Sequence, residues 1–350
     1  MHYNPHSHRI LLIKLDAIGD VIRSTPIAEG IKKKYPDSHL TWLTKFESKF
    51  FIENNEYVNR IMFYNDETVR ILQVEEFDII INLDKDAKAT SLMSIFNGKE
   101  YLGYGLSSNG HPIPLNMEAE YQYNICLDNW GAKQSNTKTY IEMLFDISKL
   151  SYDNEKPLLV FNEIKRQTFV NEFLLQHNLD SKSRIIVLNT GCGPVYPHKK
   201  WTLEGYRELI SKLIEDPKNI LILTGDVHER ERNATLYQEY SSYNIINTTE
   251  SYNIEEFCYL LSLSDIVVTG DTMALHVAIA LNKGIIAFFG PGPHAETDLF
   301  GLGSKMIRKE LPCLMCHDQF VCPYNGRCMT LITASDVYTE LQPIILKLGK

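Results

Sequence analysis

Residues 10–26 read ILLIKLDAIGDVIRSTP, and no other stretch restricts the fold as much. Ile10, Leu11, Leu12 and Ile13 are apolar without alternation. A strand with one face in water alternates, so this run suits a strand covered on both faces, as in a parallel sheet flanked by helices. The renewed apolar pattern that follows predicts a helix. Gly19 permits a tight turn, and Asp20 stands at the helix opening, at the carboxyl end of the strand where open α/β sheets place ligands. Asp20 is therefore a carboxylate aimed at a cleft, or else a cap on backbone N–H groups, a common role for Asp.

The same grammar recurs along the chain. Residues 40–43 and 77–83 (FDIIINL) read as further strands of a first βα set. Residues 184–188 (RIIVL), 220–223, 265–269 and 285–289 read as a second set. Each strand of the second set ends in polar or glycine residues: Asn189-Thr190-Gly191-Cys192-Gly193-Pro194, Thr224-Gly225-Asp226, Gly270-Asp271-Thr272 and Gly290-Pro291-Gly292-Pro293-His294. A glycine-bearing loop after a buried strand brings backbone N–H groups close to a phosphate. That edge reads as a nucleotide site. Neither G-x-G-x-x-G after a strand nor G-x-x-x-x-G-K-[ST] occurs, so dehydrogenase and P-loop readings lose their main support.

At 350 residues the chain exceeds the size at which single cores divide, roughly 250 to 300 residues. Polar residues 151–156 followed by Pro157 mark the boundary, since Pro does not continue a helix. The expected division is residues 1–157, residues 158–333, and a helix over 334–350 with Val337, Leu341 and Ile345 on one face, expected to cross back to the first domain. Residues 103–118, rich in Gly, Pro, Asn and Ser, read as a long surface loop of the kind that holds substrates. Asp84-Lys85-Asp86 matches a short D-x-D metal pattern, which chance also supplies.

The formal net charge of -9 argues against a nucleic-acid binder, which needs surplus Lys and Arg on one face. Ile31-Lys32-Lys33-Lys34 reads as the end of a helix, where cations suit the dipole, or as a contact for peripheral association with an anionic membrane. No apolar run approaches a transmembrane span and no secretory h-region opens the chain, so a cytoplasmic protein is expected. Of seven cysteines, Cys313, Cys316, Cys322 and Cys328 fall close together. Four thiolates in one loop can close tetrahedrally on an ion; the alternatives are reduced surface thiols or adventitious disulfides.

Five ordered segments, KLDAIGDVIRSTP (14–26), GCGPVYPHKKW (191–201), GDVHERE (225–231), GDTMALH (270–276) and FGPGP (289–293), resemble glycosyltransferase family 9, the ADP-heptose heptosyltransferases. The resemblance implies the α/β GT-B architecture, two Rossmann-like domains facing a central cleft, with the acceptor on the first and the ADP-sugar on the second. It implies inverting transfer of a heptose from ADP-heptose to a hydroxyl of a glycan or protein acceptor such as a lipopolysaccharide core, without a catalytic cofactor. Asp20 matches the general base, and Lys199 matches the lysine that meets the diphosphate. Thr190 and Gly191 belong to the phosphate-facing loop. Glu229 or Glu231 falls where the ribose is held. Asp271, Thr272 and His276 match a D-T-G-x-x-H segment in which Met273 replaces the glycine; His276 can equally be a histidine satisfied within its helix. Some relatives carry a four-cysteine iron site, so iron and zinc are both open for a structural ion. A sugar-nucleotide epimerase of the same fold and a non-catalytic nucleotide-binding scaffold are the alternatives.

Overall fold

The computed structural model describes residues 8–127, 131–180, 182–193, 196–316 and 322–349. Two compact units divide at Val160 and Phe161, against the expected boundary at Pro157. In the first unit the strands are β1 (Arg9–Ile13), β2 (His39–Thr44), β3 (Arg60–Phe63), β4 (Glu76–Asn82), β5 (Asn97–Leu106) and β6 (Pro112–Pro114). Their order is β3-β2-β1-β4-β5-β6, parallel throughout except for the antiparallel β5-β6 pair. Central β1 pairs with β2 and β4, and Ile10 to Ile13 are fully buried, as expected of a strand covered on both faces.

The second unit contains β7 (Arg184–Asn189), β8 (Asn219–Thr224), β9 (Ile245–Asn247), β10 (Ile266–Gly270), β11 (Gly284–Phe288) and β12 (Gly303–Met306). All pair in parallel in the order β12-β11-β10-β7-β8-β9. The order reverses between β10 and β7, so their carboxyl ends flank the crevice where such sheets bind ligands. Trp201 anchors this side: its ring stacks on Phe288 at 4.6 Å and its Nε1 donates to the Ile332 carbonyl at 2.9 Å. The last helix spans Ala334–Leu348 and buries Ala334, Val337 and Leu341 in the core of the second unit.

Two local expectations are corrected, and the D-x-D pattern is accounted for. Residues 103–118 are not one loop: β5 runs on to Leu106, turns into the short edge strand β6, and a helix begins at Met117. Pro112 and Pro114 are tolerated because an edge strand leaves one backbone side unpaired. Gly19 lies inside the helix Ile18–Ser24 and has no positive φ; the turn is made before it. The two D-x-D carboxylates are each engaged by the protein itself. Asp84 is buried against Lys14, and Asp86 caps the helix Ala87–Leu92 by accepting from Lys88 and Ala89 N–H at 2.9 and 3.2 Å.

The basic run closes the helix Pro26–Lys34. Lys32 donates to Asn59 at 2.8 Å, Lys33 pairs with Glu29 and Glu155, each at 2.9 Å, and Lys34 donates to the Lys149 carbonyl at 2.8 Å. Among the described residues no helix is long and apolar enough to cross a membrane.

Candidate active site

At the sheet edge of the second unit a cavity of about 320 Å³ opens between the ends of β7, β8 and β10. Gly191, Glu229, Thr272 and Met273 are among its walls, as are Tyr252 and Phe257. The floor is a buried polar belt. Asn189 Nδ2 donates to Thr269 and Thr272 Oγ1 at 2.8 and 3.3 Å, and Tyr206 OH donates to the Asn189 carbonyl at 3.0 Å. Such fully partnered networks hold strand ends in place at low cost, because no polar group is left bare.

Glu229 closes a short 3-10 turn, Val227–Glu229, and is 1% exposed. Its Oε2 accepts from the Asp226 N–H at 3.2 Å, and Lys200 Nζ lies 2.5 Å from Oε1. Oε1 is thus engaged by the Lys200 ammonium, and the carboxylate keeps lone pairs to which a ligand hydroxyl can donate. Glu231, the other carboxylate that sequence left open, is exposed on the following helix and is not part of the wall. Gly191 is required here: a Cβ would sit 2.4 Å from Glu229 Cδ.

Lys199 ends the 3-10 segment Pro197–Lys199, and its Nζ donates to Asp271 Oδ2 at 2.7 Å. The Lys199 ammonium also lies 5.0 Å from the Tyr196 ring centre. Gly292 packs against this pair, since a Cβ there would meet Asp271 Oδ2 at 2.6 Å and Lys199 Nζ at 3.4 Å. Asp271 and Thr272 lead into the helix Met273–Ala280, whose first N–H groups face the crevice edge with the positive end of the helix dipole. Met273 is an ordinary first helical residue without positive φ, so the missing glycine does not distort the backbone.

Two expected ligands are turned inward. Thr190 is 1% exposed and donates its hydroxyl to Asn233 Oδ1 at 2.6 Å, and His276 is 5% exposed within its helix and outside the cavity wall. Cys192 lines the cavity as a thiol: burial pushes it up to about 11, and Sγ donates to the Tyr196 carbonyl at 3.0 Å. Pro194 and Val195 of the same motif lie outside the described residues.

The wall from Thr248 to Phe257 carries no glycine signature and was not singled out in the sequence. Its signal was the Asn253 and Glu256 capping box, which starts the helix Ile254–Leu263. Within it Glu250 takes a φ of 59° and is held by Arg230 at 2.5 and 2.7 Å.

In the first unit, Asp20 lies in the opening turn of the helix Ile18–Ser24 and does not cap it. Its Oδ1 is 2.5 Å from Arg23 NH2, and its side chain is 35% exposed. Behind it Lys14 is buried against Asp84 and donates to the Asp16 carbonyl. Burial works against the Lys14 charge, but Tyr140, Asp84 and Asp20 outweigh it, so Lys14 stays protonated above its usual range. Asp84 also accepts from Leu15 and Asp16 N–H at 2.5 and 3.3 Å, which fixes the turn that carries Asp20.

None of Cys313, Cys316, Cys322 and Cys328 forms a disulfide among the described residues. Burial and then the neighbouring Cys316, Cys322 and Cys313 push Cys328 up to about 11, so each of the other three lies within electrostatic reach of Cys328. Among the described residues no three Cys, His, Asp or Glu side chains are gathered as ligands, and residues 317–321 of the loop lie outside them.

The sequence profile of glycosyltransferase family 9 (heptosyltransferase) matches residues 67–323. Lipopolysaccharide heptosyltransferase 1 of Campylobacter coli is 22% identical over 304 residues, covering 81% of this chain and 84% of the relative. The structure of a family 9 glycosyl transferase from Veillonella parvula superposes with a TM-score of 0.76 at 17% identity, covering 97% of this chain and 98% of that one. The dodecameric iron-containing heptosyltransferase TibC of enterotoxigenic Escherichia coli, solved with ADP-D-beta-D-heptose, superposes with a TM-score of 0.60 at 11% identity and covers 98% and 77%. Two parallel-sheet units of this order are those of GT-B heptosyltransferases, and the profile spans most of the chain. The chain belongs to glycosyltransferase family 9, the heptosyltransferases.

Proposed function

We propose that the protein transfers a heptose from ADP-heptose to an acceptor hydroxyl with inversion at the anomeric carbon. The observation that supports this reading is a cavity with a buried carboxylate in its wall and a cation beside it: Glu229 lines the cavity, and Lys199 pairs with Asp271, the neighbour of the lining residue Thr272 at the start of the Met273–Ala280 helix. A nucleoside diphosphate has that polarity. The diphosphate meets Lys199 and the Met273–Ala280 amino terminus, the ribose hydroxyls donate to Glu229, and the base lies against Tyr252 and Phe257. The relative solved with ADP-D-beta-D-heptose supports that donor.

In the reaction the acceptor oxygen bonds to the anomeric carbon as the bond from that carbon to the ADP oxygen breaks. Asp20 takes the hydroxyl proton, and Lys199 stabilises the charge that develops on the departing diphosphate. The acceptor is a lipopolysaccharide core sugar, as the names of the relatives suggest, reached by a protein working in the cytoplasm.

The four cysteines are proposed to hold one structural iron or zinc ion. The donor set suits it, since four thiolates are ligands for either ion, and the superposed TibC is iron-containing. No step of transfer passes through it.

The test is heptosyl transfer from ADP-heptose to a heptose-deficient lipopolysaccharide core. Asp20→Asn keeps the shape but takes no proton, so turnover should fall roughly 10² to 10⁴-fold with ADP binding nearly unchanged. Near-normal turnover by Asp20→Asn would remove Asp20 as the base.

A further inference from the structure

Asp20 shares its sheet edge with a group that proton transfer does not require. Arg23, one turn further along the same helix, points back at the carboxylate, and its Cζ lies 3.8 Å from the centre of the Tyr140 ring. Tyr140 is itself fixed. It is buried at the start of the helix Tyr140–Ile147, which Thr139 and Glu142 close with a capping box. A solvated pair three residues apart on a helix is worth little. This one differs, because the Arg23 side chain is 14% exposed and its planar guanidinium can stack on a ring and present an edge to a carboxylate at once, which an ammonium cannot.

We propose that Arg23, held on the Tyr140 ring, is a positioning residue that fixes the Asp20 carboxylate and sets the pH range over which it can accept a proton. The proposal rests on Asp20 being the general base. Other charged groups face the same region from neighbouring elements. From β1, Lys14 faces Asp20 but is bound by Asp84 at the end of β4. Lys45, on the segment before the turn Phe46–Ser48, is held by Asp16 with Glu47 and Asp86 nearby. Glu29 on the helix Pro26–Lys34 is paired with Lys33. Tyr140 contributes its ring face and, being buried, holds its phenol protonated well above the usual range.

The sign follows from the charge. A guanidinium beside a carboxylate favours the anion, so Asp20 keeps its basic form to lower pH, and removing Arg23 moves its midpoint up. With about a third of the carboxylate in water, the shift belongs at the low end of such pairs, about one pH unit.

The experiment follows the Asp20 carboxyl carbon by NMR titration of the ligand-free protein, with the resonance identified by its loss in Asp20→Asn. Arg23→Met should raise the midpoint by about one pH unit, and Arg23→Lys, which keeps charge but not the planar stack, by less. Arg23→Gln gives the same reading if Arg23→Met does not fold. An unmoved midpoint in a folded charge-removed variant overturns the proposal, since a merely structural arginine would lower the melting temperature without touching the titration. ADP release from ADP-heptose by Asp20→Asn is measured in parallel. A shifted midpoint with undiminished release would refute the base assignment while leaving the Arg23 coupling intact; an inactive Asp20→Asn with no shift would refute only the coupling.

Discussion

At Lys199 one ammonium now answers to the Asp271 carboxylate and, in the proposed reaction, to a diphosphate. Lys199→Ala removes a charge-assisted hydrogen bond and leaves Asp271 facing the phosphates uncompensated. ADP binding should therefore weaken by about 1 to 3 kcal/mol while adenosine binding changes little, as read by calorimetry. Equal losses for both ligands would place the lysine at the ribose or in the fold. Lys200 is paired with Glu229 instead, so Lys200→Ala should weaken ADP and adenosine alike. Lys199 was legible because its place before Trp201 repeats a family motif. The Lys200 pair was not, because Glu229 lies far away in sequence and only the packing of β8 beside β7 brings the two together. Lys14 and Asp84 are a second case: read singly they were a strand-end lysine and half of a D-x-D pattern, and the parallel pairing of β1 with β4 makes them one buried ion pair.

Among the elements, the buried parallel strands were the most legible, since Ile10 to Ile13 and Ile79 to Ile81 have both faces covered and show runs with no alternation. The edge strands β3, β9 and β12 were not, because three or four residues carry too little pattern to distinguish a strand from a loop. The cavity wall from Thr248 to Phe257 was hidden for the same reason: it follows β9 and presents no glycine motif. The cysteine loop is where spacing alone makes a claim about an element. Protein purified without chelator should contain close to one iron or zinc per chain, and Cys313→Ser with Cys316→Ser should lose it and lower the melting temperature. Transfer at low temperature should persist, since neither Asp20 nor the Lys199 pair depends directly on the loop. Absence of metal together with four freely titrating native thiols would leave the cysteines as ordinary loop residues.

For the whole molecule, the proposed division of labour follows the two sheets: one carries Asp20 on a turn held by the buried Lys14 and Asp84 pair, the other a cavity with Glu229 in its wall and Lys199 nearby. The two-unit α/β organisation was readable because the βα grammar occurs twice with a polar break and Pro157 between. The first unit was less readable, since the expected loop at residues 103–118 proved to be a strand turn and a helix start. The central claim is that the second unit takes an ADP-activated sugar. Calorimetry of ADP, UDP and GDP side by side tests it most directly, because the base fixes the donor class and no acceptor is needed. ADP should bind at least tenfold tighter than UDP and GDP, a difference of about 1.4 kcal/mol. UDP or GDP binding as tightly as ADP would contradict it.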